Sequence, residues 1–456
     1  MNNNTLLESI IEEKLQEKLQ EKLQEKLQEK IDSNIVDIFW LLFNGMIVFF
    51  MQCGFAMLEV GSVNKKNTKN ILTKNLLDAC LGALIWWSFG HGLAYDGVNE
   101  FIGTPYNGKS SFFTNDYLNE ENKNGYIWAL WFFQYVFAAT SATIVSGAVA
   151  ERTALLAYMF YTIFIIMIIY PVVVHWTWSS SGWLSPFNTN GSFMGGVIDF
   201  AGSGVVHMTG GIAGLCGSYI VGPRINRFNN DMQPIDLPGQ SSVFQILGVF
   251  ILWFGWYGFN AGSTLSISNL YNARDAGRIL VTTTLSATTG GISAILIDKK
   301  FGSKVWNPVY LSNGILSGLV SITASCVVVQ PSVSIIIGFV GSIIYFGSSY
   351  IILYKFNIDD PLDAFSIHGT CGIWGILAAG LFTDPSYSYA RGGGLFYGDI
   401  NVFVASLVFI ISNITWTGIL SLILFKTMNK IKILRISNED ELQGLDISKH
   451  TSNNII

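Results

Sequence analysis

HMTGGIAGL at residues 207–215 and HGTCGIWGI at residues 368–376 are two copies of one motif. Each copy begins with histidine and carries Thr, Gly, Ile and Gly at matching positions further along. Both copies lie in apolar segments, so the repeated ionisable residue occupies a hydrophobic environment. Ionisable groups in such segments usually face an internal path, and paired copies indicate an internal duplication. The two histidines, His207 and His368, are therefore the first candidates for a functional site.

The composition indicates a membrane protein. Half of the residues are hydrophobic, 12% are charged and the mean hydropathy is +0.42, whereas soluble domains carry about a quarter charged residues. The net charge of -5 gives no support to nucleic-acid binding. The sequence has no Walker motif, so any transport would be passive or ion-coupled rather than driven by nucleotide hydrolysis. We expect no enzymatic activity, no cofactor and no metal.

Apolar runs that are long enough to cross a bilayer predict eleven transmembrane helices, since one crossing takes about 20 helical residues. Their predicted bounds are 37–60, 76–95, 126–149, 153–175, 197–221, 241–261, 276–297, 308–328, 333–354, 362–383 and 400–427. The histidine motifs fall in the fifth and tenth helices, so the two copies enter the membrane from opposite sides. The expected fold class is an all-α polytopic membrane protein with two inverted five-helix repeats and a final helix.

The basic residues predict a topology. Lys and Arg favour the cytoplasmic side in short loops. Most of them follow odd-numbered helices: Lys65, Lys66, Lys69, Lys74, Arg152, Arg224, Arg227, Lys299, Lys300, Lys304, Lys355, Lys426, Lys430, Lys432 and Arg435. The alternate loops hold Lys109, Lys123, Arg274, Arg278 and Arg391. We expect the amino terminus outside or in a lumen and the carboxyl terminus in the cytoplasm, in the plasma membrane or an endosomal or vacuolar membrane.

Three regions follow from this topology: an extracellular arm at 1–33, a transmembrane domain at 34–430 and a cytoplasmic tail at 431–456. The arm carries a fourfold EKLQ repeat at 13–28. Its four-residue leucine spacing drifts around a helix and does not keep the 3.5-residue seam of a coiled coil. We expect a single charged helix or a disordered arm, with a partner-binding coiled coil as the alternative. The tail is the expected contact for a cytoplasmic regulator.

Two tripeptides match a glycosylation acceptor. Asn190-Gly-Ser192 lies in the loop after the fourth predicted helix, on the side expected to be outside. Asn413-Ile-Thr415 lies within the last predicted helix, where an acceptor has no function. The first tripeptide predicts a glycoprotein, and the second shows how weak the pattern is.

The chemistry of imidazole suits a shared site at the centre of the bundle. Substrate sites of inverted-repeat transporters lie at the repeat interface near the midplane, where His207 and His368 would meet. Two adjacent neutral rings share a proton and still present nitrogen to a small polar molecule. The alternative is a pair of core histidines bonded to backbone. Asp199 and Asp363 stand near the starts of the same two helices, where free amides favour a carboxylate, and we expect Asp199 to order the backbone.

Five segments resemble the conserved blocks of the ammonium transporter (Amt/Mep/Rh) family, specifically its Amt branch. They are QCGFAMLEVGSVNKKNTKNILTKN (52–75), FAATSATIVSGAVAER (137–152), DFAGSGVVHMTGGIAGLCGSYIVGPR (199–224), GWYGFNAGS (255–263) and DDPLDAFSIHGTCGIWG (359–375). The resemblance implies a homotrimer in the lipid bilayer with one pore per subunit, eleven spans, an outside amino terminus and selective ammonium transport. The EKLQ arm has no counterpart in the family, and His91 stands where the family often has an aromatic residue.

The resemblance also implies roles for individual residues. The matched residues are the twin pore histidines His207 and His368, the stacked gate Phe137 and Phe259, the external recruitment site Trp178 and Ser263, the structural acid Asp199, and Gln134 as a polar residue beside the gate. These residue types suit the chemistry. An indole face attracts a monovalent cation, a hydroxyl accepts its N–H groups, and a hydrophobic constriction bars hydrated ions.

The expected mechanism is recruitment of ammonium at the outer aromatic site, loss of its proton, and passage as ammonia past the histidines, with methylammonium as a second substrate. A bare cation in an apolar pore is very costly. The proton either follows along the histidines, which makes transport electrogenic, or returns outside. Two rival functions stay open at this point: an ammonium sensor of the same fold with little flux, and a membrane haem protein with two axial histidines.

Overall fold

The computed structural model describes residues 3–104, 125–387, 389–390 and 392–451, with side chains from residue 11 onward. Within these ranges the chain forms helices and connecting turns, and the only extended pairings are two isolated bridges. The predicted loop cations Lys109, Lys123 and Arg391 lie outside the described residues. The all-α prediction is confirmed.

Eleven long helices make up the bundle in the described part of the chain, and two short helices follow in the tail. The long helices are α1 (Asn3–Ser62), α2 (Lys65–Tyr95), α3 (Tyr126–Ala148), α4 (Leu155–Trp178), α5 (Ser203–Val221), α6 (Ser242–Gly262), α7 (Leu270–Phe301), α8 (Pro308–Thr323), α9 (Pro331–Tyr354), α10 (Phe365–Phe382) and α11 (Asn401–Lys430). The short ones are α12 (Asn438–Gln443) and α13 (Leu445–Ser448). Ten of the long helices have the length and apolar character to cross a membrane, and α8 is a shorter, largely buried helix of 16 residues.

The helix contacts repeat between the two halves, as an inverted duplication predicts. In the first half α1 packs on α3, α2 on α4 and α3 on α5, and in the second half α6 packs on α8, α7 on α9 and α8 on α10. Corresponding helices of the two halves also meet, α1 against α6 and α5 against α10. Helix α11 packs along α5 and α10. The interface between the halves therefore contains the two helices that carry the histidine motifs.

The amino-terminal arm is helical, and α1 runs through it into the membrane domain without a break. An apolar side chain recurs at every fourth position of the arm and is exposed, with 68% exposure at Leu15, 69% at Leu19, 68% at Leu23 and 58% at Leu27. Of the two states predicted for the arm, the structure has the single charged helix. No described residue covers the leucine row, and the partner-binding coiled coil stays an untested alternative.

One end of the bundle, called here the tail end, is formed by residues 62–68, 149–154, 222–227, 355–364 and 431–450. Basic loops that were predicted to share one side of the membrane meet at this end. Arg152 donates to the carbonyl groups of Gly222 at 3.0 Å and Asp359 at 2.6 Å, and Lys66 donates to the carbonyl of Glu441 at 2.7 Å. These contacts agree with the predicted alternation of basic loops. The side of the membrane that this end faces stays a prediction.

A buried ionic cluster joins the loops of the tail end. Asp359 accepts hydrogen bonds from the Arg224 side chain at 2.8 Å and from the Arg224 backbone at 3.0 Å, and Arg227 lies 3.2 Å from its other oxygen. Arg224 also pairs with Glu151. Burial alone would raise the pKa of Asp359, but Arg224 and Arg152 hold it well below its usual range. The carboxylate therefore stays charged at neutral pH, and its partners depend on it because an unpaired buried charge is strongly destabilising.

The tail folds back on the start of α2. Asp446 accepts hydrogen bonds from the backbone N–H groups of Lys69 at 3.0 Å and Asn70 at 2.9 Å, two donors that the helix itself leaves free. The side chain of Asn70 lies 2.9 Å from the ring of His450. Through residue 451, the tail is therefore an ordered part of the bundle.

Lys74 departs from the sequence prediction. It was expected in a loop after the first span, but it lies inside α2 and is fully buried. Its Nζ is 2.9 Å from Asp78 and 3.6 Å from Glu59, and Thr162 donates to Asp78 at 2.6 Å. Hydropathy counts each charge as unfavourable and takes no account of a partner, so it started the second span at residue 76. The paired charges let α2 begin several residues earlier.

Replacing Asp359 by Asn removes the buried carboxylate charge that pairs with Arg224 and Arg227. We expect Asp359→Asn to lower the free energy of unfolding by about 3 to 5 kcal/mol. The measurement is the thermal unfolding of the detergent-purified protein, followed by tryptophan fluorescence. Asp440→Asn is the control, because its partner Lys449 is 47% exposed and exposed pairs contribute about 0 to 1 kcal/mol. Equal unfolding midpoints for the two variants would contradict a stabilising role of the cluster.

Candidate functional site

Helices α5 and α10 meet at glycine residues, and this contact sets the distance between the histidine motifs. A Cβ atom at Gly211 would come within 2.2 Å of the backbone nitrogen of Gly369, and one at Gly372 within 2.6 Å of the carbonyl oxygen of Ser203. Real Cβ atoms do not approach another atom within 3.0 Å, so neither position has room for a side chain. The repeated glycine of the motif therefore allows the two backbones to touch.

The histidines lie on wide π-helical turns at the starts of their helices. These turns are Ser203–Met208 in α5 and Phe365–Thr370 in α10. Such turns are rare in proteins, and those that occur often lie at functional sites. Asn413 of α11 donates to the carbonyl of Gly204 at 3.1 Å and accepts from the hydroxyl of Thr209 at 3.2 Å. The amide side chain therefore satisfies backbone and side-chain groups around the first turn.

His207 and His368 are in direct contact. Their Nδ1 atoms are 3.2 Å apart, and their ring planes are inclined by 20° with centroids 5.2 Å apart. In this contact one Nδ1 donates and the other accepts. The residues are 0% and 4% exposed, and Nε2 of His207 is buried with no hydrogen-bond partner among the described residues. Since buried polar atoms are nearly always paired, this nitrogen is available to a small guest molecule.

Aromatic rings form a column that leads to the histidine pair. Phe137 and Phe259 stack with their centroids 3.9 Å apart and their planes at 18°. Phe259 lies 5.6 Å from the ring of His207, and Phe137 lies 6.1 Å from the ring of Trp178. The order of rings is therefore Trp178, Phe137, Phe259, His207 and His368. The stacked phenyl rings leave no room for a molecule between them, so they close the column.

A cavity of about 310 Å³ lies at the Trp178 end of this column. This vestibule cavity is lined mainly by aromatic and apolar residues, and its lining includes Trp178, Ser263 and Gln134. The indole Nε1 of Trp178 donates to the carbonyl of Asp199 at 2.8 Å, which fixes the ring. The hydroxyl of Ser263 donates to the carbonyl of Phe259 at 2.8 Å, so its oxygen retains lone pairs that accept. The structure thus brings the predicted recruitment residues to one cavity.

Asp199 organises the start of α5. It accepts hydrogen bonds from three backbone N–H groups, those of Gly202 at 3.2 Å, Gly204 at 3.0 Å and Val205 at 2.8 Å. Free amides at a helix start favour a carboxylate. With its backbone carbonyl held by Trp178, Asp199 links the helix start to the indole of the vestibule cavity.

At the start of α10 the corresponding cap is Asp360, which the sequence prediction did not single out. Asp360 accepts from the backbone N–H of Phe365 at 2.8 Å. The predicted Asp363 instead accepts from the hydroxyl groups of Ser349 at 2.7 Å and Tyr345 at 3.1 Å. The capping role expected for Asp363 is therefore corrected to Asp360. Burial and the neighbouring Asp363 raise the pKa of Asp360 to about 6.

A signal in the sequence identifies this second cap. Asp360 precedes His368 by eight residues, and Asp199 precedes His207 by the same number. The duplication therefore extends from the histidine motif back to the acid that starts each helix. Asp363 stands five residues before His368 and has no equivalent at that spacing in the first copy.

Comparison with known proteins finds ammonium transporters that match most of the chain. The model of the Ammonium Transporter Family matches residues 39–455. Ammonium transporter 1 member 3 of Solanum lycopersicum is 40% identical over 436 residues, which is 92% of either chain. Ammonium transporter 3 of Dictyostelium discoideum is 40% identical over 425 residues and covers 91% of this chain and 93% of its own length. The arm precedes the matched residues.

Solved structures share the fold. The structure titled Sensor Amt Protein superposes with a TM-score of 0.82 at 32% identity, covering 92% of this chain and 99% of its own. The crystal structure of Saccharomyces cerevisiae Mep2 gives a TM-score of 0.75 at 27% identity, covering 89% of this chain and 88% of its own. The predicted family resemblance and the predicted fold class are confirmed.

A methyl group at the contact of the two motif helices tests how closely they pack. We expect Gly211→Ala to lower the free energy of unfolding by about 1 to 3 kcal/mol, because the added methyl meets backbone and has no space to turn away. Gly347→Ala is the matched control, since a Cβ there meets nothing within 4 Å and Ala is the better helix former by about 1 kcal/mol. Thermal unfolding in the same detergent gives both values. If Gly211→Ala unfolds no earlier than the control, the helices do not touch at this point.

Proposed function

Because the chain belongs to the ammonium transporter family, we propose that it carries ammonium across a membrane through the column that ends at His207 and His368. Membership of this family makes it a multi-pass membrane transporter and not an enzyme. The observation that carries the pore assignment is the unbroken series of rings from the vestibule cavity to the histidine pair. Each ring in the series lies within 6.1 Å of the next.

Recruitment takes place in the vestibule cavity. The indole face of Trp178 attracts a monovalent cation, and the hydroxyl oxygen of Ser263 accepts one of its N–H groups. The hydrogen bond from Trp178 to the carbonyl of Asp199 keeps the indole in place. Asp199 therefore acts as a positioning residue: it does not contact the substrate itself, but it holds the indole ring that does.

Passage beyond Phe137 requires the loss of charge. Phe137 and Phe259 are 1% and 0% exposed and stack directly on each other. A hydrophobic constriction of this kind excludes hydrated ions, and a cation without its water is very costly in an apolar site. Ammonia is neutral and avoids this cost. Ammonium therefore gives up its proton in the vestibule, and ammonia passes when the phenyl rings move apart.

The histidine pair gives ammonia polar contacts in an otherwise apolar path. The Nδ1 atoms bond to each other and hold both rings, so the Nε2 atoms remain for the substrate. Ammonia both donates and accepts, and it suits the unpaired Nε2 of His207. The proton returns to the vestibule side, or it follows through the shared N–H of the pair. A membrane current accompanies transport only in the second case.

The proposal includes the assembly and topology that the family resemblance implies. These are a homotrimer with one pore per subunit, an amino terminus that is outside or lumenal, and a cytoplasmic tail, in the plasma membrane or an endosomal or vacuolar membrane. The basic loops gathered at the tail end support the cytoplasmic assignment. The exposure of Asn190 supports glycosylation of its loop. The ordered tail offers a surface to a cytoplasmic regulator.

An ammonium sensor with little flux is the second candidate function. It is favoured by the likeness to the structure titled Sensor Amt Protein. The haem alternative does not fit the geometry, because two axial histidines require a macrocycle between them. The Nδ1 atoms of His207 and His368 are 3.2 Å apart in direct contact, which leaves no space for one.

Substitution of the histidines tests the pore. We expect His207→Asp and His368→Ala either to lower methylammonium flux at least about tenfold or to abolish the selectivity of transport. A tenfold lower flux is a loss of about 1.4 kcal/mol of transition-state stabilisation. Radiolabelled uptake and membrane current are measured together in cells where surface labelling shows equal amounts of each variant. His450→Gln is the control, because this tail histidine contacts Asn70. Unchanged flux and selectivity in both pore variants would remove the histidines from the mechanism.

Reconstitution separates a transporter from a sensor. Purified wild-type protein in liposomes with an imposed ammonium gradient is expected to speed the change of internal pH, reported by an enclosed dye, at least about tenfold over empty liposomes. Ammonium binding is measured on the same sample through the quenching of tryptophan fluorescence. Saturable binding without flux would favour the sensor and contradict transport.

A further inference from the structure

We propose that Tyr95 is a further ammonium-binding residue of the vestibule cavity, whose hydroxyl oxygen accepts an N–H group of the recruited ion beside the carboxamide oxygen of Gln134. This inference rests on the proposed transport function and adds a residue to its recruitment site. Tyr95 belongs to none of the sequence motifs discussed above.

Tyr95 reaches the cavity because α2 ends there. The last turn of α2, His91–Tyr95, packs against the last part of α4, Tyr170–Trp178. Two helices that pack side by side and stop at the same end bring Tyr95 and Trp178 to one cavity, and both residues line it. A wide π-helical turn at Trp86–Gly90 precedes the last turn of α2. Such a turn changes the direction in which later side chains face.

Tyr95 and Gln134 both line this cavity, and each has a buried oxygen with no partner among the described residues. Neither Oη of Tyr95 nor Oε1 of Gln134 has a hydrogen-bond partner in the described part of the chain, and Gln134 is 7% exposed. Buried polar atoms nearly always have a partner. Two unpartnered acceptors on residues that line one cavity indicate a ligand that donates hydrogen bonds.

Ammonium has this chemistry, since it carries four N–H donors and no acceptor. The indole face of Trp178 attracts its charge, and Ser263 accepts one N–H. Tyr95 and Gln134 then offer two more acceptors for the remaining donors. Methylammonium has three N–H groups, so it too has one for each of these three acceptors. The hydroxyl of Tyr95 therefore contributes to the binding of both ions.

The test compares Tyr95→Phe, which removes only the hydroxyl, with the wild type. Concentration-dependent uptake of ammonium and of methylammonium is measured in liposomes. We expect the KM for ammonium to rise about three- to tenfold with Vmax within about twofold, since the net contribution of one hydrogen bond is lost. The KM for methylammonium should rise by a similar factor, because this ion donates an N–H group to the same hydroxyl. Tyr161→Phe is the matched control, because its hydroxyl is also buried but does not line the cavity.

Several outcomes overturn the proposal. A KM for ammonium within about twofold of the wild-type value shows that the hydroxyl is satisfied by water alone. A lower Vmax with unchanged KM, or a rise of KM for only one of the two ions, removes the N–H contact. If the wild type shows no flux, the proposed transport function is wrong. The same variants are then compared by the dissociation constant of ammonium, measured by tryptophan fluorescence. In that measurement a rise of about three- to tenfold in Tyr95→Phe alone supports the contact, and an unchanged constant overturns it.

Discussion

Helices α5 and α10 approach so closely at Gly211 and Gly372 that their backbones touch, and the rest of the site follows from this approach. A Cβ atom at either position would lie within 3.0 Å of the other helix's backbone, so any side chain there would push the helices apart. The imidazole rings of His207 and His368 would then lose the 3.2 Å contact between their Nδ1 atoms. In a membrane the hydrophobic effect does not drive helices together, because lipid is as apolar as their side chains. Close packing at small residues and interhelical hydrogen bonds stabilise the helix contacts instead.

The close contact of α5 and α10 also determines where side chains have to pair with backbone polar groups. Wide turns at the starts of α5 and α10 leave backbone amides and carbonyls unpaired, and hydrocarbon provides no water to satisfy them. Asp199 and Asp360 pair with the amides, and Asn413 pairs with a carbonyl. These residues support the site without lining its column of rings. At the tail end the charges of the loops pair with one another around Asp359.

Much of this fold was predictable from the sequence, because hydropathy reports which segments cross the membrane and the motif repeat reports their symmetry. Contact between His207 and His368 followed from the same reasoning. Hydropathy misplaced the start of α2, since it cannot detect that Lys74 is paired with Asp78. The wide turns have no sequence signature, so the position of Tyr95 in the cavity was not predictable. Asp360 was predictable from its eight-residue spacing to His368, which equals that of Asp199 to His207.

The unbroken course of α1 gives the arm a geometric relation to the site. Phe55, on the membrane part of α1, has its ring 6.3 Å from that of His368. From Ile11 to Phe55 the helix extends about 66 Å at 1.5 Å per residue. Because α1 has no break between the arm and the bundle, the same helix that contributes Phe55 to the surroundings of His368 also sets the direction in which the arm projects.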